Sequence, residues 1–268
     1  MPFVTSGGAR IAYTRVGSGP AVLLIQGVGA IGRVWEPQVE ALAPRCTAVH
    51  FDNRGIGEST SDGRALSIEA MASDALAVMD AEQIDRFHVA GHSMGGSIAQ
   101  ALALAVPERV LSLSLLCTFA AGGDAVKLGW GMTWSGIRSR VGSRAARRRA
   151  FLEMVVPPAE LSAQGVDAMH ERLAPLFGRD LADQPPIAMK QLRALSRFDA
   201  RERLGTLSGM PTLVMSGELD RIARPESGRG LAAAIPGARY LELPGAGHAV
   251  PAYRPDAVNG PLLEHLAG

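Results

Sequence analysis

"VAGHSMGGSIAQ", the stretch Val89–Gln100, places one serine, Ser93, among glycines between an apolar run and an alanine-rich segment. The residues before it, Phe87–Ala90, have the apolar character of a short buried strand. The residues after it, Ser97–Ala105, are rich in Ala and Leu and predict a helix. The chain must therefore reverse its direction within a few residues around Ser93.

This tight reversal favours a nucleophile at Ser93 over a small residue in a glycine-rich loop. Gly91 and Gly95 lack Cβ atoms, so the backbone can fold closely around Ser93 and direct its Oγ outward. A G-x-S-x-G string occurs often by chance, but it becomes specific where it follows a strand and opens a helix. The sequence therefore predicts a strained turn that presents a reactive serine.

The composition is that of an ordinary globular protein. The chain has 268 residues, of which 47% are hydrophobic and 20% charged. Its net charge of +1 does not indicate a surface that binds nucleic acid. Cys46 and Cys117 lie in apolar runs and predict free buried thiols. The sequence has neither the pattern of a signal peptide nor an apolar run near the roughly 18 residues that span a bilayer. We expect a cytoplasmic monomer or small homo-oligomer that acts on a small molecule, without nucleic acid or a membrane span.

Apolar strand patterns alternate with helical patterns along most of the chain. The predicted strands are "ARIAYTRVG", "AVLLIQG", "CTAVHFD", "FHVAG", "RVLSLSLLC", "TLVMSG" and "RYLEL". Helices are expected at Glu36–Leu42, Ile68–Ala81, Ser97–Ala105, Pro225–Ala234 and Pro255–Leu266. This alternation predicts an α/β fold, with a mostly parallel central sheet covered by helices on both faces.

Residues 122–204 interrupt that alternation. They contain no clear strand, and "GWGMTWSGIRSR", "RAARRRAFLEMVV" and "AMHERLAPLFG" predict short helices broken by glycines and by proline pairs. We interpret this stretch as a helical cap inserted into a core domain of residues 1–121 and 205–268. It would rest on the carboxyl edge of the sheet, where open α/β folds bind ligands. Trp130 and Trp134 would then contribute to an apolar pocket or to the cap's own core.

A nucleophilic serine needs a base that takes its proton and a carboxylate that orients the base. Asp220 follows the strand "TLVMSG", and His248 lies in a glycine-rich loop after the last strand, at the same predicted sheet edge as Ser93. Glu218 competes with Asp220 for the acid. We favour Asp220 because two more residues carry the chain clear of the strand.

The remaining histidines are weaker candidates for the base. His92 neighbours the nucleophile, but adjacent side chains on a tight turn point apart. His50 and His88 lie within predicted strands, where we expect buried, hydrogen-bonded rings. We expect His170 and His265, on predicted helices, to lie at the surface.

An oxyanion hole requires two backbone N–H groups directed at the developing charge. Met94, directly after the nucleophile, would supply one. The loop "GVGAIG" offers Val28 or Gly29 for the other, and Gly29 is also a candidate for the substrate pocket. The alternative is a glycine-rich turn that merely joins a strand to a helix.

Five motifs in this order, "QGVGAIGRVW", "FDNRGIGES", "GHSMGGS", "SGELDRI" and "GAGH", resemble those of the α/β-hydrolase superfamily, specifically its small capped esterase and lactonase-like members. The resemblance implies a serine hydrolase without cofactor or metal that cleaves an ester, thioester or lactone through an acyl-enzyme. Gln26-Gly27 replaces the usual His-Gly, and Gln can still hydrogen-bond to hold the loop. "FDNRGIGES" resembles a structural turn with a buried Asp–Arg interaction.

Other members of the same fold remain open. Carbon–carbon bond hydrolases share "SMGG" and the triad. Cofactor-free haloperoxidases or perhydrolases are also similar, although haloperoxidases typically carry Pro in the oxyanion loop. A ligand receptor with little turnover would keep the same residues. The basic run "RSRVGSRAARRR" could attract an acidic substrate, but such runs are more often solvated helix faces.

Overall fold

The computed structural model describes residues 1–123 and 136–268 of the chain. Its centre is an eight-stranded sheet with the strand order β1-β2-β4-β3-β5-β6-β7-β8. The strands are β1 (Phe3–Ser6), β2 (Ala9–Gly17), β3 (Ala21–Ile25), β4 (Thr47–Phe51), β5 (Phe87–His92), β6 (Val110–Leu116), β7 (Thr212–Gly217) and β8 (Arg239–Leu243).

The sheet is mostly parallel, as predicted. β2 runs antiparallel to both β1 and β4, and the six strands from β4 to β8 in sheet order are parallel to one another. Every residue of β3, β4 and β7 is buried, which explains their continuous apolar character. The sequence did not predict β1, a four-residue strand at the sheet edge with half its pattern exposed.

Helices cover the sheet in the order that the alternation predicts. They are α1 (Glu36–Leu42), α2 (Ile68–Ala81), α3 (Met94–Ala105), α4 (Arg144–Val155), α5 (Pro158–Gln164), α6 (Val166–Phe177), α7 (Ile187–Arg197), α8 (Pro225–Ala234), α9 (Val250–Tyr253) and α10 (Asp256–Leu266). α2 packs against α3, and α1 packs against α10. α3 begins three residues earlier than expected, directly after Ser93.

Helices α4 to α7, here called the insert helices, lie between β6 and β7. Ser143 caps α4 by accepting a hydrogen bond from the amide of Ala146 at 3.2 Å. Pro157 and Pro186 occupy the capping positions of α5 and α7, where a missing N–H costs no helical hydrogen bond. The proline pairs therefore separate helices, as the sequence predicts.

The fold can be compared directly with two expectations, one about the cysteines and one about membrane-spanning segments. Cys46 and Cys117 are both free and buried. Among the helices of the described ranges, none combines the length and hydropathy that a bilayer crossing requires.

Candidate active site

Ser93 occupies a strained turn between β5 and α3, with φ +55° and ψ −122°. Residues other than glycine rarely adopt these backbone angles, so contacts with surrounding residues must hold the turn in place. The Ser93 amide donates to the Leu116 carbonyl at 2.9 Å, and the Ser93 carbonyl accepts from Thr118 Oγ1 at 2.7 Å. A Cβ at Gly91 would overlap the carbonyl of Gly95, so the turn requires glycine there.

Three side chains form a continuous hydrogen-bonded chain at the carboxyl edge of the sheet. His248 Nε2 lies 2.9 Å from Ser93 Oγ, and His248 Nδ1 lies 2.8 Å from Asp220 Oδ2. All three residues are buried. Because a carboxylate accepts hydrogen bonds, Nδ1 carries the imidazole proton and Nε2 is left to accept the proton of the serine hydroxyl.

The carboxylate of Asp220 is fixed by its own backbone surroundings. Its Oδ1 accepts hydrogen bonds from the amides of Ile222 at 2.8 Å and Ala223 at 2.9 Å, which leaves Oδ2 for His248. Glu218, the competing acid, is exposed and instead accepts from the Gly245 amide at 2.7 Å. The geometry therefore places Asp220, and not Glu218, at the imidazole.

The loop after β3 brings a second backbone segment against the nucleophile. A Cβ on Gly27 would lie only 3.0 Å from the Cβ of Ser93. Gln26 holds this loop, as expected from its amide, because its Nε2 donates to the Phe51 carbonyl at 2.7 Å. The amides of Val28 and Met94 donate to no acceptor within residues 1–123 and 136–268.

Gly29 has a different environment from the one its position in "GVGAIG" suggests. Its amide donates to Gln191 Oε1 at 2.8 Å, and the fully buried Gln191 belongs to α7. Gly29 is absent from the cavity wall that surrounds Ser93. Of the two amides considered for the oxyanion hole, Val28 is therefore the one left unpaired within the described residues. Sequence reasoning missed Gln191 entirely.

A cavity of about 540 Å³ opens above Ser93 and His248. Its wall is mainly apolar and comes from both sides of the site: the sheet loops supply Trp35, Phe119 and Ile222, and the insert helices supply Phe151, Met154, Phe177 and Leu192. Phe151 and Phe177 contact each other edge to face with ring centroids 5.7 Å apart. Trp130 and Trp134, the predicted pocket tryptophans, lie outside the described residues.

The other histidines do not approach Ser93 as a base. His50 is buried within β4, and His88 contacts Ser112 Oγ at 2.8 Å. His170 and His265, expected at the surface, are both half-buried, so each side chain is only partly exposed. His170 Nε2 lies 3.8 Å from Asp180 Oδ1, a contact that sequence spacing alone does not reveal.

The segment "FDNRGIGES" forms a polar turn. Its arginine pairs with a carboxylate on α2 and not with Asp52, the acidic residue nearest to it in sequence. Arg54 makes two hydrogen bonds of 2.6 Å to the carboxylate of Asp74 on α2. Asp52 instead accepts from the amides of Gly32 at 2.7 Å and Glu58 at 2.9 Å. The segment thus supports the loop that follows β3 without reaching the cavity.

Within the described residues, His92, Cys117 and His248 place potential metal donors within 4.8 Å of one another. Both ring nitrogens of His248 already bond to Ser93 and Asp220. Burial, with the charge of Asp220, raises the pKa of the Cys117 thiol well above its usual value and disfavours the thiolate that a metal needs. These donors belong to the hydrogen-bonded site.

A family model described as the alpha/beta hydrolase fold matches residues 20–255. The chain belongs to this family. This alpha/beta hydrolase is 33% identical over 266 residues to a protein of Azorhizobium caulinodans named as a proposed carbamate hydrolase, RutD, with 98% of the chain and 97% of the relative covered. It is 31% identical over 282 residues to a protein of Mycobacterium tuberculosis named as a proposed non-heme bromoperoxidase, BpoC, with 96% and 98% covered.

Among solved structures, the enol-lactonase from Burkholderia xenovorans LB400 is similar over its whole length. The TM-score is 0.83 at 27% identity, and 100% of both chains is covered. The predicted α/β-hydrolase fold is thereby confirmed. The family and these relatives also support hydrolase activity for this chain. The names of the relatives, however, indicate different substrates and reactions.

Proposed function

We propose that this alpha/beta hydrolase is a serine hydrolase that cleaves an ester, thioester or lactone of a small, largely apolar substrate. The observation that carries the proposal is the hydrogen-bonded chain from Ser93 through His248 to Asp220 at the floor of an apolar cavity. A serine, a base and an orienting carboxylate in this geometry are suited to acyl transfer.

In the acylation step, Ser93 Oγ attacks the substrate carbonyl while its proton passes to His248 Nε2. Asp220 stabilises the imidazolium that forms. The carbonyl oxygen becomes an oxyanion, for which the amides of Val28 and Met94, unpaired within the described residues, are the donors. The tetrahedral intermediate collapses as His248 returns the proton to the leaving alcohol, thiol or ring oxygen.

The acyl-enzyme is then hydrolysed by the same groups in reverse. His248 Nε2 takes a proton from water, and the resulting hydroxide attacks the acyl carbonyl. The second tetrahedral intermediate releases the carboxylic acid as the proton returns to Ser93 Oγ. Every proton transfer passes through one imidazole nitrogen, so the reaction needs no cofactor.

The cavity supports an apolar acyl or alcohol group next to the scissile carbonyl. Aromatic and aliphatic side chains from the insert helices form one side of its wall. We propose that residues 122–204 act as a lid that excludes water and selects the substrate. A carbamate, suggested by the name of the RutD relative, has a carbonyl open to the same attack, but its small polar groups would leave this wall largely unused.

The nucleophile is tested with a fluorophosphonate, which should label Ser93 in the wild-type protein. Ser93→Ala should abolish labelling and lower kcat by about 10⁴- to 10⁶-fold. Ser97→Ala is the matched control, because Ser97 is a fully buried serine on α3, four residues after Ser93, whose Oγ has no partner within the described residues. Labelling at another serine would contradict the assignment.

The reaction class is tested with p-nitrophenyl esters of short, medium and long acyl chains, together with a lactone series. We expect turnover that depends on acyl length. Labelling of Ser93 without turnover of any ester, lactone or carbamate would favour the receptor alternative. Turnover of a vinylogous diketone alone would favour carbon–carbon bond cleavage.

A further inference from the structure

His92, the residue before the nucleophile, connects two distant parts of the chain. Its Nε2 lies 2.8 Å from the backbone carbonyl oxygen of His248. A carbonyl can only accept, so Nε2 carries the ring proton and donates it. The two imidazoles lie side by side, with centroids 4.9 Å apart at 47°. The turn that carries Ser93 is thus bonded directly to the residue that serves as its base.

The loop that carries His248 is held at each neighbouring residue. The Gly247 amide donates to Tyr253 Oη at 2.7 Å, and the Ala249 amide donates to the Val155 carbonyl at 2.9 Å. Both anchors come from helices outside the β5 turn. The bond from the His92 side chain to the His248 carbonyl therefore ties this loop to the turn that carries Ser93.

The Nδ1 edge of His92 lies near the loop after β3. A Cβ on Gly27 would lie 3.5 Å from His92 Nδ1 and 3.0 Å from the Cβ of Ser93. The ring therefore packs between the loop of Val28 and the loop of His248. A displacement of this ring would alter the position of the base and of one oxyanion donor together.

We propose that His92 is a positioning residue that aligns His248 with Ser93 through the hydrogen bond from its Nε2 to the His248 carbonyl. This inference rests on the proposed function, because it assigns His92 a part in the same reaction. Its ring reaches the wall of the cavity, but it acts through His248 and does not carry the transferred proton.

The charges around His92 are compatible with a constant donor. Burial lowers its pKa to about 3, and the charge of His248 acts in the same direction, while the hydrogen bond to the His248 carbonyl and the carboxylate of Asp220 oppose it. Cys117, also near the ring, is held as a neutral thiol by burial. His92 therefore stays neutral with its proton on Nε2 while His248 gains and loses a proton during each half-reaction.

The test compares two substitutions at His92. His92→Leu removes the donor, and His92→Gln places an amide N–H near the position of Nε2. We expect His92→Leu to lower kcat and the rate of fluorophosphonate labelling by about 10- to 100-fold with little change in KM, since small misplacements of catalytic groups cost this much. His92→Gln should recover most of both rates.

His88→Leu is the matched control, since His88 lies on the same strand and also makes one side-chain hydrogen bond, at 2.8 Å, to Ser112. It should keep wild-type kcat, and melting temperatures identify any variant that fails to fold. Histidine ¹⁵N NMR of the wild-type protein gives a second readout: the His92 proton should reside on Nε2. A proton on Nδ1, or equal losses in the Leu and Gln variants, would overturn the inference.

The two proposals fail in different ways. If wild-type protein is neither labelled at Ser93 nor active on any ester, the proposed function fails and His92 loses its part in it. If Ser93 is labelled equally fast in the wild-type, His92→Leu and His92→Gln proteins, the proposed function stands and the positioning inference is wrong.

Discussion

Gln191 on α7 accepts a hydrogen bond of 2.8 Å from the backbone amide of Gly29, in the loop after β3. One partner belongs to the insert helices and the other to the loop that faces Ser93. Gln191 is completely buried, so this bond forms away from water, where an unpaired amide is costly. The insert is therefore attached to the candidate oxyanion loop by a specific polar contact.

Replacing Gln191 by Leu should disturb that loop. The Gly29 amide would lose its acceptor, which should lower the free energy of unfolding by about 1–3 kcal/mol. We expect kcat to fall about 10-fold because the neighbouring Val28 amide would be held less firmly. Kinetics and denaturant unfolding measure both effects. Gln164→Leu, on the exposed face of α5, is the control, and an effect on KM alone would speak against loop positioning.

The choice between two carboxylates gives a second prediction. Asp220→Asn should preserve the shape of the site but favour the wrong imidazole tautomer, with a loss in kcat of up to about 10⁴-fold. Glu218→Gln should have a small effect, because Glu218 is exposed and, within the described residues, its carboxylate accepts only from the Gly245 amide. Steady-state kinetics on one ester compares the two. A larger loss from Glu218→Gln would reverse the assignment.

Much of the fold follows from local pattern. β2 coincides with the alternating run "ARIAYTRVG", and α2 begins where Ser67 accepts a hydrogen bond from the Ala70 amide. Alternation and capping are local properties, so sequence alone predicts them well. β1 was missed because its four residues carry neither a long apolar run nor full burial.

The candidate site also contains some residues that the sequence predicts and others that it does not. Ser93, Asp220 and His248 each follow a parallel strand, so topology alone predicts that they meet. Gln191 lies 162 positions from Gly29, and no pattern in α7 distinguishes it from a solvent-facing glutamine. The wall supplied by the insert depends on how helices pack, which no local motif determines.

Buried histidines should make stability depend on pH. Burial, with a smaller effect from the charge of Arg33, lowers the pKa of His50 to about 4, whereas an unfolded histidine titrates near pH 6.5. Between about pH 6.5 and about pH 4, the unfolded chain binds a proton that the native chain excludes. The free energy of unfolding should therefore decrease as the pH is lowered through this range, by up to about 1.4 kcal/mol per pH unit for this residue.

His50→Gln isolates that contribution. Its unfolding free energy, measured by denaturant titration from about pH 8 to about pH 4.5, should fall less steeply than that of the wild-type protein. Above about pH 7 both histidine states are neutral, so the two curves should run parallel there. Equal slopes in the acidic range would mean that His50 does not contribute.

The last prediction concerns the cavity wall and the variant Met154→Ala. Met154 is half-buried on α4 and contributes to the wall above Ser93, while Glu153, its neighbour, forms an ion pair with Arg138 at 3.4 Å. Shortening Met154 should enlarge the space available to an acyl chain without moving the hydrogen-bonded side chains beneath it. Glu153→Ala changes the same helix outside the wall and is the matched control.

Met154→Ala should raise kcat/KM for long acyl esters relative to short ones by about 10-fold, because a methylene in an apolar pocket is worth about 1–3 kcal/mol. The rate at which a small fluorophosphonate labels Ser93 should stay near that of the wild-type protein, since the groups that stabilise charge lie on the sheet loops. Glu153→Ala should leave the acyl-length profile unchanged. A uniform loss on all esters, together with a lower melting temperature, would show that Met154 serves the packing of the insert. A shifted profile at constant labelling rate would show that α4 selects the substrate, because only groups that touch the acyl chain can distinguish its length.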